Sequence, residues 1–82
     1  MFKIIYSKTF LKQIKKLPLN IQKRIFNSLE RCRIRPQAYV KKLVGIDYFR
    51  LRVGDYRIIL DIKSGELIIY VLQVGHRKKI YQ

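Results

Sequence analysis

The sequence is poor in cysteine, histidine and acidic residues: its 82 residues include one cysteine, one histidine and five Asp or Glu. Because Cys32 has no partner for an internal disulfide, we expect a reducing compartment, the cytoplasm. The single His76 and five scattered carboxylates offer no ligand spacing, so we expect neither a metal site nor a cofactor. No apolar run approaches the ~20 residues of a membrane span.

Glycine and proline are also scarce, with four and two residues. The glycines form no phosphate-cradling loop and no nucleophile elbow, so the P-loop and α/β-hydrolase motifs are absent. The sequence shows neither a repeat nor a linker, and its length suits one folding unit. We therefore expect residues 1–82 to form a single domain.

Positive charge is what the sequence has in excess. Nineteen Lys and Arg residues stand against five acidic ones, which gives a formal net charge of +14 at pH 7. Repulsion of this size destabilises a small fold, and it favours a polyanionic partner. Nucleic acid is the first expectation, ahead of an acidic protein and an anionic membrane surface.

Hydrophobic periodicity predicts an α+β fold in the order β-α-α-β-β-β. Residues 2–6 read as a strand, and Ser7 reads as a helix N-cap. Apolar residues at helical spacing predict two helices, separated by Pro18 and ended by Pro36. A connector at 36–47 leads into alternating segments. The predicted strands there are 48–53, 56–62 and 67–74. The expected architecture is a helical hairpin packed on a mainly antiparallel four-stranded sheet.

The predicted hairpin brings arginines together. If Gly54-Asp55 is a two-residue loop, Arg52 lies directly opposite Arg57, with Arg50 two residues away on the same face. Like charges directly opposite each other in a sheet are destabilising. Because the planar guanidinium binds phosphate bidentately, this face is predicted to bind an anion.

The last nine residues, "VGHRKKIYQ" (74–82), carry the remaining candidates. RNA supplies its own nucleophile, the 2′-OH, so its cleavage needs only a base, an acid and positive charge at the phosphate. His76, Tyr81 or an arginine could be that base, and the residues alone leave the choice open. Lys78 and Lys79 add general attraction to phosphate.

Four segments carry a family resemblance. They are "SKTFLKQIKKLP" (7–18), "KKLVG" (41–45), "YFRLRVGDYRIILDI" (48–62) and "VGHRKKIY" (74–81). Together they resemble the RelE family of the RelE/ParE superfamily of type II toxin–antitoxin systems. The resemblance implies a small βααβββ microbial-RNase-like fold. It also implies a toxin that enters the ribosomal A site and cuts mRNA through 2′-OH attack without metal.

Residue by residue, the resemblance implies catalytic roles for Arg57, Arg77 and Tyr81. Arg57 matches a strand arginine at the scissile phosphate, and Arg77 matches an arginine assigned to transition-state stabilisation or general-acid work. Tyr81 matches a tyrosine that stacks on a base and can act as general base. The implied phosphate-binding residues are Arg50, Arg52, His76, Lys78 and Lys79. Arg50 and Arg52 stand where several family nucleases have lysines, which keeps the charge but loses a group that deprotonates easily.

The resemblance also implies partners. An acidic, largely helical RelB-like antitoxin would hold the toxin silent in a hetero-oligomer, and the toxin's targets would be the ribosome and mRNA. Two other functions stay open from the sequence. One is inhibition of DNA gyrase, as in the ParE branch, and the other is RNA or ribosome binding without cleavage.

Overall fold

The structure, a computed structural model, describes residues 1–76. Its elements are β1 (Lys3–Tyr6), α1 (Lys8–Ile14), α2 (Leu19–Cys32), a 3₁₀ turn (Pro36–Ala38), β2 (Val40–Lys42), β3 (Phe49–Val53), β4 (Tyr56–Lys63) and β5 (Ile68–His76). Within these residues the strands form one sheet in the order β1-β5-β4-β3-β2. β1 is parallel to β5, and the other neighbours are antiparallel. The predicted mainly antiparallel α+β fold is confirmed.

The sheet has five strands rather than the predicted four. The extra strand, β2, lies inside the segment 36–47 that was predicted as a connector, with Val40 opposite Leu51 and Lys42 opposite Phe49. Three residues are too few to show the alternation by which a strand is recognised. β2 forms because the outer edge of β3 carries backbone N–H and C=O groups that need partners.

The helix boundaries follow from local chemistry. The Ser7 side chain accepts a hydrogen bond of 3.0 Å from the Phe10 N–H, which confirms the predicted N-cap of α1. The Pro18 carbonyl accepts from the Ile21 N–H at the start of α2. Arg35 is extended, with φ −145° and ψ 81°, because the following proline disfavours helical geometry there.

The helices cover one face of the sheet, and the core lies between the two layers. Its buried helical residues are Phe10, Ile14, Ile25, Leu29 and Cys32, and its buried strand residues are Leu51, Val53, Ile58, Leu60, Ile62, Ile69, Val71 and Val74. Strand residues that alternate with these point to the other side, which we call the open face. Neither helix within residues 1–76 is long and apolar enough to cross a membrane.

Candidate functional site

The β3–β4 hairpin places its arginines as the sequence predicts. Arg52 lies directly opposite Arg57, and Arg50 is two residues along β3. Gly54 has a φ of 58°, a left-handed conformation that suits the two-residue loop. Because Val53 is buried against the helices, alternation directs the three arginines to the open face.

A cavity of about 490 Å³ opens beside two of these arginines. We call it the arginine groove, and it is lined by Lys41, Lys42, Leu43, Val44, Ile46, Arg50 and Arg57. Arg50 and Arg57 are half-buried. Their attraction to a bound anion is therefore stronger than at a fully hydrated surface, since the local dielectric constant is lower. The groove combines cations suited to phosphate with apolar surface suited to a nucleobase or an apolar side chain.

Sequence reasoning missed the two lysines of β2 as site residues. Lys41 lies directly opposite Arg50, so both share the open face. The Nζ atom of Lys42 lies 3.4 Å from Asp47 Oδ1, an exposed ion pair that contributes about 1 kcal/mol or less. β2 is too short for strand alternation to show which way its side chains point. The only feature of the sequence that could have indicated these residues is the pair of adjacent lysines.

The positive charge of the open face is only weakly balanced by carboxylates. Within residues 1–76 the ion pairs are Glu30–Arg33, Asp47–Lys42 and Asp61–Lys63. Among these described residues, Lys41, Arg50 and Arg52 take part in none of the pairs. Clustered like charges cost stability, so the cluster is suited to an external anion that removes the repulsion.

His76 lies on the other side of the sheet from the arginines. It is opposite Tyr56 at the end of β5, and their rings make an edge-on contact with centroids 5.7 Å apart. Tyr56 pairs with Val53 and packs against the core, so the ring pair belongs to the helix-covered face. The structure does not bring His76 to the groove, and its role in phosphate binding stays a prediction.

Four predicted site residues, Arg77, Lys78, Lys79 and Tyr81, lie outside the described residues. β5 ends at His76, one residue after the Gly75 that lies opposite Arg57. The roles assigned to these four residues from the resemblance stay predictions.

Side chains of α1 and of its N-cap residue hold the last part of β5. The pairing of β4 with β5 skips Leu72, which forms a bulge. The Ser7 hydroxyl donates to the Leu72 carbonyl at 2.6 Å, and the Val74 N–H donates to Gln13 Oε1 at 2.8 Å. These bonds satisfy one backbone group at the bulge and one two residues beyond it, and they fix the strand end that lies beside Arg57. Sequence reasoning missed Gln13, because nothing in the sequence marks the bulge.

Two groups have raised pKa values, the buried Cys32 of the core and the partly buried Tyr6 that packs against it. Burial raises the pKa of the Cys32 thiol to about 11. The thiol therefore stays protonated near neutral pH and is a poor nucleophile. Burial, followed by the nearby Glu30 carboxylate, raises the pKa of Tyr6. Tyr6 stacks on Phe10 with ring centroids 5.5 Å apart, which fits a packing role.

The fold and the groove define a class: a small, strongly basic α+β domain with a cationic binding face. Within that class, the chain belongs to the RelE/ParE family of type II toxin–antitoxin toxins. Residues 4–81 match the family described as "ParE toxin of type II toxin-antitoxin system, parDE". The chain is also 39% identical over 85 residues to Toxin RelE3 of Methanocaldococcus jannaschii, with 96% of this chain and 94% of the relative covered. The resemblance drawn from the sequence is confirmed.

Solved structures share the fold. A RelB-RelE antitoxin-toxin complex from Methanococcus jannaschii contains a chain with a TM-score of 0.76 and 35% identity, and 94% of each chain is covered. An archaeal RelE-RelB complex from Pyrococcus horikoshii OT3 contains one with a TM-score of 0.82 and 25% identity, covering 95% of this chain and 97% of that one. These similarities confirm the predicted architecture.

Proposed function

We propose that this toxin is a ribosome-dependent endoribonuclease that cuts mRNA in the A site and so inhibits translation in the cytoplasm. The observation that carries the proposal is the arginine groove, where Lys41, Arg50 and Arg57 surround one cavity. Fixed cations around a space of this size suit a phosphate that gains negative charge during reaction. Preorganised groups that stabilise developing charge usually contribute more to rate acceleration than any other single effect.

The proposed reaction uses the 2′-OH of the mRNA as nucleophile. A general base removes the 2′-OH proton, and the 2′-oxygen forms a bond to the adjacent phosphorus. The bond from that phosphorus to the 5′-oxygen of the next nucleotide breaks, and a general acid protonates the leaving oxygen. The products are a 2′,3′-cyclic phosphate end and a 5′-hydroxyl end.

Residue roles in this reaction rest on the groove and on the family resemblance. Arg57 is assigned to the scissile phosphate, with Arg50 and Arg52 adding charge along the same face. The resemblance supports Arg77 as transition-state stabiliser or general acid. It supports Tyr81 as a base-stacking residue and general base. His76, Lys78 and Lys79 would contribute attraction to the RNA backbone.

We also infer a RelB-like antitoxin, acidic and largely helical, as partner in a hetero-oligomer. The M. jannaschii and P. horikoshii relatives were solved as complexes of RelE with RelB. A net charge of +14 attracts acidic segments. Val44, 98% exposed, and Ile46 lie beside the cations of the groove, so an amphipathic acidic segment has both apolar and charged contacts there.

Primer extension on mRNA in a translating extract tests the proposed cleavage. The wild-type toxin should give cuts in phase with codons, and Arg57→Ala, Arg77→Ala and Tyr81→Phe should each remove them. Lys8→Ala removes one positive charge from α1, away from the groove, and should leave the cuts in place.

Two results would contradict the proposal. Intact mRNA together with blocked DNA supercoiling would identify a gyrase inhibitor. RNA binding that weakens in the arginine variants, with no cutting at any toxin concentration, would identify a binding module.

A further inference from the structure

A second cationic cavity lies between α2 and the β3–β4 hairpin. It has a volume of about 260 Å³ and shares no lining residue with the arginine groove. Its lining includes Arg24, Asn27, Ser28 and Arg31 of α2, and Arg52 and Val53 of β3. We call this cavity the α2 cleft, and neither the family resemblance nor the proposed cleavage assigns it a role.

The sequence spacing explains how the α2 cleft forms. Positions 24, 27, 28 and 31 follow the i, i+3, i+4, i+7 spacing of one helical stripe, next to the apolar stripe that packs on the sheet. The hairpin turn meets this stripe at Gly54, which also lines the cleft. A Cβ atom added at Gly54 would lie 3.5 Å from Arg24 Nη1, so the guanidinium rests against the turn. Helix and hairpin together place Arg24 and Arg31 around one space, with Arg52 at its β3 edge.

The described part of the chain places no carboxylate in the lining of this cleft. No carboxylate is among its lining residues, and none of Arg24, Arg31 and Arg52 takes part in the ion pairs within residues 1–76. The like charges of Arg24 and Arg31 around a small space, with Arg52 at its edge, raise the energy of the folded state. An anion bound from outside would remove that cost.

We propose that the α2 cleft binds a phosphate group of an RNA backbone, as a second contact beside the arginine groove. A phosphate offers enough oxygens for several guanidinium groups and for the neutral side chains of Asn27 and Ser28. A carboxylate holds its two oxygens in one plane, whereas the four oxygens of a backbone phosphate are arranged tetrahedrally. The donors of the cleft come from a helix and from a hairpin, and this arrangement suits a tetrahedral phosphate better than a planar carboxylate.

The two cavities differ in the number of apolar residues that line them, so we expect them to bind different ligands. An amphipathic acidic peptide needs apolar contacts, which Leu43, Val44 and Ile46 provide in the arginine groove. Val53 is the one large apolar residue lining the α2 cleft, and it is buried. Arg52, at the edge of the cleft, lies two residues along β3 from Arg50 of the groove, so an RNA backbone that crosses this edge of the sheet would contact both cavities.

The test measures binding of a fluorescently labelled 2′-O-methyl RNA by anisotropy at several salt concentrations. This RNA lacks the 2′-OH, so its binding does not depend on the proposed cleavage. The cleft variant is Arg24→Gln/Arg31→Gln. The matched control, Lys8→Gln/Lys12→Gln, removes the same charge from exposed positions of α1.

The cleft variant should bind this RNA at least about tenfold more weakly than wild type, and its log affinity should depend less steeply on log salt, because one phosphate contact is lost. The control should lose about threefold or less. If the glutamine pair fails to fold, Arg24→Lys/Arg31→Lys should fold and still lose at least about threefold, since lysine cannot bind phosphate bidentately.

Three outcomes would overturn the proposal. Equal losses in the cleft and control variants would show an effect of net charge alone. Poly-glutamate that binds as tightly as the RNA and loses affinity equally in the cleft variant would assign the cleft to carboxylates. Inorganic phosphate bound in preference to the RNA would assign it to a free anion. The binding of 2′-O-methyl RNA, poly-glutamate and inorganic phosphate does not depend on cleavage. A negative primer-extension result would therefore contradict the proposed cleavage without contradicting the proposed phosphate site.

Discussion

At the scale of single residues, the geometry of arginine distinguishes this open face from a generally basic surface. Arg57 is half-buried and lies opposite Arg52, where a lysine pair would carry the same charge. The guanidinium adds a planar fork that fits two oxygens of one phosphate and keeps its proton. The proposed contact with the scissile phosphate therefore depends on the fork of Arg57 as well as on its charge.

Replacing Arg57 with lysine tests this dependence. Arg57→Lys should lower the single-turnover rate of mRNA cutting on ribosomes by about tenfold or more, because one charge-assisted hydrogen bond to the phosphate is lost. Arg35→Lys, at an exposed position away from the groove, should cut at the wild-type rate. An Arg57→Lys protein with an unchanged rate would show that charge alone is sufficient.

The buried thiol of Cys32 predicts a dependence of stability on alkaline pH. Its pKa is raised by burial from 9.0 to about 11. The unfolded chain therefore releases the thiol proton first. The stabilisation is fully present below about pH 9 and is lost as the pH rises toward 11, by about 2–3 kcal/mol.

Urea denaturation of wild type and Cys32→Ala across this pH range measures that loss. The variant lacks the thiol, so its stability should fall less steeply than that of wild type between pH 9 and 11. The lysines and Tyr6 are common to both proteins, so their titration cancels in the difference. If the stabilities of wild type and Cys32→Ala fell equally with pH, the Cys32 thiol would not be the cause of the loss.

At the scale of secondary-structure elements, features set by local chemistry were predictable and features set by packing were not. The register of Arg52 against Arg57 follows from the two-residue loop at Gly54, which the sequence displays. β2 and the bulge at Leu72 depend on partners distant in sequence. The α2 cleft escaped prediction for the same reason, since Arg24 reads as a solvent-exposed helix residue until the hairpin packs beside it.

The turn at Gly54 should be sensitive to substitution. Gly54→Ala forces a Cβ into a backbone with φ of 58°, which costs about 1–2 kcal/mol of unfolding free energy. Gly65→Ala is the matched control, because its φ is not left-handed and nothing lies within 4 Å of an added Cβ. Chemical denaturation should show destabilisation in the first variant and little change or slight stabilisation in the second. Equal stabilities of Gly54→Ala and Gly65→Ala would show that a Cβ atom at position 54 causes no backbone strain.

The link between α1 and the bulge of β5 should also contribute measurably. Gln13→Ala leaves the Val74 N–H, which belongs to a buried residue, without its acceptor. The expected cost is about 1–3 kcal/mol of unfolding free energy, with faster amide exchange at Val74. Lys12→Ala on the exposed side of the same helix should change neither quantity by much. Unchanged exchange at Val74 in Gln13→Ala would show that the bond is not maintained in solution.

At the scale of the whole molecule, the fold separates stability from binding. One layer of helices and the covered side of the sheet form the core, and the open face carries the cations of the groove. Periodicity predicted this layering because the buried core residues of β3 and β4 follow the alternation of their strands; in β5 the bulge at Leu72 shifts it, so that Val71 and Val74 share the covered face. The net charge of +14 predicted a polyanionic partner. It did not predict that cationic residues would line two separate cavities.

The central claim is that the toxin cuts mRNA through attack by the 2′-OH, and one substrate change tests it most directly. Ribosomes are programmed with two mRNAs that differ only by a 2′-deoxynucleotide on the 5′ side of the scissile bond in the A site. We expect the toxin to cut the all-RNA message and leave a 2′,3′-cyclic phosphate end, and to leave the deoxy-substituted bond intact. Cutting of the substituted bond, or a 3′-hydroxyl end on the normal product, would contradict this mechanism.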